Sequence, residues 1–518
     1  MASEDLVLLA ILLPTLGGLG ILAAGRHPNL REGVTLVTAG ATFLVVLTLL
    51  ARVLAGERPE AGGWPVFAGV EIAFAVEPLG MLFGTIASGL WIVNSIYSIG
   101  YMRGNDEPRQ TPYYICFAVA IAAALGVAFA GNLLTLFLAY EVLTLSTYPL
   151  VAHKGTDEAR AKARIYLVLL LATSMMLLLP AIVWTGVAAG SIDFVPGGVL
   201  AGAGLSATML AILYTIYIFG IGKAAVMPVH YWLPAAMVAP TPVSALLHAV
   251  AVVKAGVFCV VKVTVYIFGL DLLAETGASV VVSYLAGATV ILASLTALMQ
   301  DNLKARLAYS TVSQLSYVVM AAALATPVAI IGAAFHIAAH AVSKITLFFC
   351  AGSIYTAAHL TEVSQLDGIG RKMPFTIGAF LVGSLSIIGL PPLVGVWSKW
   401  WIGSGAAETG AYWVVAVLMI SSLLNVAYLL PIVARGFFAA PPKGEAANPG
   451  GIHESPATCV VALSITAALC LVLFLGANQI EALLAQIVVV PPEPASIPAS
   501  IPASIPASIP LEGEADVQ

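Results

Sequence analysis

Ile221-Gly-Lys223-Ala-Ala-Val-Met-Pro228, followed closely by Pro240-Thr-Pro-Val-Ser-Ala-Leu-Leu-His248-Ala-Val-Ala-Val-Val-Lys254, sets two ammonium groups, an imidazole and three prolines inside apolar sequence. The surrounding chain explains how that is tolerated. Of its 518 residues, 60% are hydrophobic and 9% charged, whereas soluble domains carry about 25% charged residues. No soluble fold hides that much apolar surface, so the solvent of this chain is lipid. In that solvent a charged, proline-broken segment is expensive, and its presence needs a reason.

A span needs about 20 mostly apolar residues. Fourteen stretches qualify, near residues 5–24, 33–55, 77–99, 113–130, 132–153, 162–188, 206–230, 241–267, 277–299, 303–324, 328–356, 374–402, 412–436 and 455–476. The apolar runs are continuous and too long for barrel strands, so the expectation is an all-α polytopic membrane protein. With the N-terminus outside, the inner loops collect fourteen basic residues, among them Arg103, Lys154, Lys304, Arg371 and Lys443, and the outer loops hold only Arg52 and Arg58. This asymmetry places both termini on the outer, periplasmic side of a cell membrane. The run Leu6–Ala24 follows Glu4 and Asp5 instead of a basic segment, and reads as a first membrane helix rather than a cleaved signal.

The five remaining basic residues, Lys223, Lys254, Lys262, Lys344 and Lys399, all fall within spans. Each ionised group at the bilayer centre costs roughly 2.5–3.5 kcal/mol on insertion scales. Lys262 nears the outer end of its span and is expected to snorkel to the interface. The other four lie too deep for that and point to function. Glu141, in Leu-Ala-Tyr-Glu141-Val-Leu, is the one carboxylate well inside a span, with Lys223 as its expected partner. His336, His340 and Lys344 recur every four residues and share one helix face. Zinc is a competing reading for the two histidines, disfavoured by the lysine and by the lack of a nearby cysteine or carboxylate. A proton relay fits better. Burial and a neighbouring carboxylate act oppositely on an ammonium, so such a group can hold and release a proton near neutral pH. The second proline-broken stretch, Gly389-Leu-Pro391-Pro392-Leu-Val-Gly-Val-Trp-Ser-Lys399, repeats the theme. Paired broken helices are the sequence mark of inverted repeats and a midplane ion path.

Five cysteines sit in apolar runs with no C-x-x-C pair. There is no Walker loop and no glycine-rich dinucleotide fingerprint. The expectation is a transporter subunit with no cofactor, no redox centre, no metal and no nucleic-acid partner. Pro494 to Ile509 is four copies of Pro-Ala-Ser-Ile, expected to be an extended appendage.

Gly131–Pro149, Gly222–Lys254, Asp301–Tyr317 (with Leu-Ala-Tyr-Ser-Thr-Val-Ser-Gln), Phe335–Gly352 and the Gly389–Lys399 segment together resemble the antiporter-like subunits of respiratory complex I, Mrp-type sodium/proton antiporters and membrane-bound hydrogenases. The resemblance covers roughly residues 70–440. It implies fourteen helices with two inverted five-helix repeats, spans 4–8 and 9–13, and broken helices 7 and 12. The division is then 1–110 for the first three helices, 111–270 and 271–440 for two proton half-channels, 441–490 for a last helix, and 491–518 for the tail. It implies a proton relay through Glu141, Lys223, His248, Lys254, His336, His340, Lys344 and Lys399. An Mrp D-like subunit of a multi-subunit cation/proton antiporter, working with other membrane subunits, is favoured by length. The alternatives are a proton-pumping subunit of an NADH-quinone oxidoreductase or hydrogenase, and the membrane subunit of an inorganic-carbon uptake complex.

Overall fold

The computed structural model describes residues 2–67, 69–440 and 451–488. The Pro-Ala-Ser-Ile repeat and Lys443 lie outside them. Helices dominate: α1 (Ser3–Ala23), α2 (Pro28–Leu54), α3 (Pro78–Gly104), α4 (Gln110–Ala128) and α5 (Leu133–Val151) come first. Then follow α6 (Asp157–Ala189), α7 (Ala207–Gly220), α8 (Thr241–Phe268), α9 (Val280–Met299) and α10 (Leu303–Ala322). The last are α11 (Pro327–Ala358), α12 (Pro374–Ile388), α13 (Gly395–Glu408), α14 (Tyr412–Phe438) and α15 (Ala457–Leu475). Eleven helices among the described residues are long and apolar enough to cross a membrane. Of the fourteen expected stretches the seventh, tenth and twelfth fall short: α10 is long enough but too polar, and the other two are broken. α7 stops at Gly220 and gives way to short 3-10 turns around Pro228 and a single α-helical turn that holds Pro234, and α12 stops at Gly389 before the Pro391–Pro392 pair.

Burial sorts the helices as a lipid-solvated protein requires. Only a third or so of the apolar windows of α1, α2 and α6 is buried, at 39%, 33% and 33%. Their leucines and valines, such as Leu16, Leu22, Val37 and Val187, face outward. The windows of α8 and α11 are 100% and 94% buried. These two helices pack on each other and on α3. They also carry most of the intramembrane histidines and lysines, so charge is concentrated where lipid is excluded.

The described residues also include two strands, which the apolar pattern does not announce. β1 (Glu60–Phe67) and β2 (Val70–Ala75) form an antiparallel hairpin between α2 and α3. It lies outside the spans, at the end of the molecule that carries Arg52 and Arg58. That end is called the hairpin end below, and the end with the other loop arginines and lysines the basic end.

Two helix starts are built alike. Asn132 caps α5, its side chain accepting from Thr135 N at 2.8 Å, while Leu133 N donates to Ile192 O at 3.0 Å. Asn302 caps α10, accepting from Ala305 N at 3.1 Å, while Leu303 N donates to Thr361 O at 2.9 Å. Both asparagines make an isolated antiparallel bridge to a distant loop, at Asp193 and Glu362. Each cap satisfies an otherwise orphaned amide of the first turn. The first lies at the hairpin end, where Asn132 Nδ2 donates to Glu71 O at 2.8 Å; the second begins among Lys304 and Arg306 at the basic end.

Candidate functional site: a buried line of lysines and histidines

Lys223 sits in the 3-10 turn Gly222–Ala224 beyond α7, fully buried. Trp232 Nε1 holds the turn by donating to Gly222 O at 2.9 Å. The Lys223 ammonium donates to Tyr140 O at 2.8 Å and Thr144 Oγ1 at 2.6 Å, and it lies 3.0 Å from the centre of the Tyr140 ring. The expected contact with Glu141 is therefore not a direct ion pair. Tyr140 and Thr144, on either side of Glu141, take the ammonium. Glu141 is 8% exposed, and neither carboxylate oxygen finds a protein hydrogen-bond partner. It still lies close enough to Lys223 to interact electrostatically.

α8 crosses this turn at Gly256, where any Cβ would come within 2.3 Å of Lys223 C and 2.4 Å of Ala224 N. Only glycine allows that approach. It brings Lys254, two residues earlier, into the neighbourhood of the broken segment. A π-helical turn at Leu246–Val250 carries His248. Such insertions concentrate at functional sites because they leave backbone groups free and redirect side chains.

From Lys254 a row of titratable and polar side chains leads on toward Lys399. Its ammonium meets His340 Nδ1. The His340 and His336 rings lie 5.9 Å apart between centres, one turn from each other on α11. His336 Nδ1 lies 2.9 Å from Ser398 Oγ, whose single hydroxyl proton goes to Gly395 O at 3.0 Å. His336 Nδ1 therefore carries a proton and its Nε2 is bare. His340, accepting from an ammonium at Nδ1, carries its proton on Nε2. Neighbouring imidazoles thus present a donor and an acceptor, and neither Nε2 has a protein partner. The ammonium beside His340 also disfavours zinc there.

Tyr317 connects the line to its far end. Its ring lies 5.5 Å from that of His336 and 5.5 Å from the Lys399 ammonium. Lys399 donates to Ile388 O at 2.7 Å and Ser422 Oγ at 2.8 Å. Gly389, at φ +92°, turns the chain at the break, and a Cβ there would press within 2.8 Å of Lys399 Cδ. Lys344 branches from the line, donating to Ser310 Oγ at 2.6 Å, and Ser310 also accepts from Tyr428 at 2.8 Å.

Both ring nitrogens of His248, both polar atoms of the Gln314 side chain, Tyr317 OH and Asn425 Nδ2 are also buried without a protein partner. Buried polar groups are nearly always hydrogen-bonded, and those that protein leaves over are met by water. Several of these groups stand beside the relay candidates, Asn425 through Tyr428 and Ser310 to Lys344 among them.

At the basic end a cavity of about 240 Å³ opens among Tyr101, Lys154, Glu158, Thr241, Lys304 and Tyr355. Lys304 reaches electrostatically from this cavity to His248. In the sequence Lys304 stands out only as a basic loop residue that marks topology. In the loop beside this mouth, burial raises Glu107 above the usual carboxylate range, and burial with the nearby Arg109 pushes His153 down to about 4.

Lys262 does not snorkel. It is 1% exposed, and its ammonium lies 2.6 Å from Glu77 Oε1 and 2.7 Å from Ala130 O. A carboxylate 185 positions away along the chain, just before α3, removed the need to reach water.

Broken helices that end on buried ammonium groups, with a row of imidazoles on the helices packed between them, define an ion-translocating membrane protein of the antiporter type. Residues 130–425 match the family described as NADH:quinone oxidoreductase/Mrp antiporter, TM, and the chain belongs to that family. It is 30% identical over 435 residues to NADH-quinone oxidoreductase subunit N of Desulforudis audaxviator, covering 82% of this chain and 84% of the relative. It is 30% identical over 491 residues to the A/B component of a probable K(+)/H(+) antiporter of Rhizobium meliloti, covering 91% of this chain and 47% of that protein. A chain of the Mrp complex from Dietzia sp. shares the fold, with a TM-score of 0.81 at 20% identity over 94% of this chain and 97% of the other.

Proposed function

We propose that this chain conducts protons as the antiporter-like subunit of a multi-subunit monovalent cation/proton antiporter, in the position of an Mrp D-type subunit. The observation that carries the proposal is the line from Lys254 through His340, His336 and Tyr317 to Lys399. Protons enter from the cavity beside Lys304 and reach His248. They then spread along a path in which each group can accept from one neighbour and donate to the next. Glu141 and Lys223 form the switch of the first half. A protonated Lys223 that swings from Tyr140 O toward Glu141 is held there, and one held by Tyr140 and Thr144 is released more easily.

The matched caps at Asn132 and Asn302, at opposite ends of the molecule, support two inverted repeats across 111–270 and 271–440, with the broken stretches and α10 counted among fourteen crossings. The basic end then faces the cytoplasm and both termini the outside. The match across 91% of this chain to a K(+)/H(+) antiporter component supports the cation/proton reading. The match across 84% of an NADH-quinone oxidoreductase subunit supports the second reading, a proton-pumping subunit beside redox chains.

Two measurements test this. Lys223→Ala in the native complex is expected to abolish proton transport in membrane vesicles while the subunit still inserts; undiminished transport would refute the relay. Purifying the complex decides between the readings: small hydrophobic antiporter subunits favour the first, flavin and iron–sulfur chains the second.

A further inference from the structure

The hairpin and the Glu77–Lys262 pair lie together, and neither has a place in the line from Lys254 to Lys399. Lys262 stands eight residues after Lys254 on α8, about 12 Å further toward the hairpin end at the rise of a helix. Gly256 of α8 packs on the backbone of Lys223, and Cys259, between Gly256 and Lys262, lies within electrostatic range of both ammonium groups. Beyond Lys262 come Glu77 at 2.6 Å, then Tyr266, which interacts with Glu77 and with Arg58. Titratable groups thus continue from Lys223 to the loop before the hairpin.

The enclosure of the pair is built from three segments. The hairpin bonds to the strip that presents Ala130 O, through Ala75 N to Phe129 O and Gly131 N to Ala73 O, both 2.8 Å. The loop after α6 lays the Phe194 ring 4.4 Å from the Lys262 ammonium. That loop is tied to the end of α8 by Leu200 N to Ile267 O at 2.9 Å. Lys262 is sealed and Glu77 remains 13% exposed, so the carboxylate is the member that meets the outer side.

We infer that Glu77 and Lys262 are the proton exit of the first half, roofed by the hairpin. A Lys262 N–H bond breaks as a Glu77 O–H bond forms, leaving both groups neutral. Glu77 then releases that proton to water at the hairpin end. The neutral Lys262 amine takes the next proton from the side of Lys223, and the ion pair is restored with one proton moved. At 2.6 Å the first transfer needs no intervening water. The inference rests on the proton-conducting reading above and extends it to residues that the relay does not include.

Arginine separates this role from a structural one, because it keeps the ion pair but does not release a proton. In the native complex in membrane vesicles, Lys262→Arg is expected to leave subunit content unchanged and lower proton transport by roughly a hundredfold, the scale of a lost proton-transfer group. Glu77→Gln with Lys262→Gln, a neutral pair that still hydrogen-bonds, is expected to behave alike. Wild-type transport in either assembled variant overturns the inference. Failure of both to assemble overturns it too, since the pair is then a clamp. Lys223→Ala run alongside separates the two levels: if it transports normally the proton-conducting reading itself falls, and if it is inactive while Lys262→Arg is normal, only the exit falls.

Discussion

The two broken segments solve the same problem with one difference. Lys223 and Lys399 each donate to one backbone carbonyl and one hydroxyl, Tyr140 O with Thr144 and Ile388 O with Ser422. Each lies against a tyrosine ring, Tyr140 and Tyr317. Only the first has a carboxylate within reach. Glu141 stands nine residues past the Asn132 cap; nine residues past the matching Asn302 cap stands Thr311, fully buried. A buried ammonium with a carboxylate to approach or leave has two states of different proton affinity. One held by neutral groups has a single state. On the proton-conducting reading proposed above, the first site can switch and the second passes protons along a row of bases.

The largest effects come from moving that carboxylate. Glu141→Ala is expected to lower proton transport by about a hundredfold or more, because Lys223 is left in one state. Glu141→Gln, which keeps the shape and loses the charge, is expected to do nearly as much. Transport measured in vesicles with subunit content held equal decides it. If Glu141→Ala conducts normally, the two halves do not differ in the way described.

The reverse change sharpens the comparison. Ser422→Asp places a carboxylate where a hydroxyl lies 2.8 Å from the Lys399 ammonium. A direct ion pair holds the proton, and each pKa unit gained slows release by about tenfold. Transport is expected to fall by about that factor and to recover as external pH rises. An unchanged rate would mean Lys399 does not carry the transported proton.

A smaller effect tests the tautomers. Ser398 accepts the Nδ1 proton of His336 and so keeps Nε2 bare. Ser398→Ala removes about 1 kcal/mol of preference, which corresponds to roughly a fivefold loss of rate. The nitrogen chemical shifts of His336 are the direct readout: the wild type should show Nδ1 protonated and the variant a mixture.

How much of this was legible in the sequence follows from what each residue type reveals. Charges in apolar sequence are conspicuous, so Glu141, the four deep lysines and the histidines at 248, 336 and 340 stand out as buried polar groups without coordinates. The helices were legible for the same reason, since lipid demands long apolar runs. The partners of Lys223 were not, because a backbone carbonyl and a threonine hydroxyl carry no signal in sequence. Lys262 was expected to snorkel and Glu77 drew no notice, because each sits near the end of a span, where a charge has an ordinary explanation. Only the fold shows that 262 meets 77. The hairpin hid in a short glycine- and proline-bearing segment that looked like a loop between spans.

The smallest prediction concerns the matched caps themselves. Before Asn132 stands Gly131, where the hairpin crowds in and a Cβ would lie 3.1 Å from Ala73 O. Before Asn302 stands Asp301, free of such crowding and clasped by Ser364 through its hydroxyl at 2.6 Å and its amide at 3.0 Å. Those hydrogen bonds, the hydroxyl first, hold Asp301 below the usual carboxylate range. A lowered folded-state value stabilises above the ordinary range near pH 4, and the contribution is lost as pH falls through the lower value. Asp301 is exposed, so solvent screening limits the gain to a few tenths of a kcal/mol. Ser364→Ala should therefore unfold slightly earlier than the wild type at pH 7, and the gap should close as acidification protonates Asp301 in the folded protein. A gap that stays constant with pH would show that the Ser364 contact acts by packing alone. The second cap would then owe nothing to its carboxylate, and the two ends would be alike in kind.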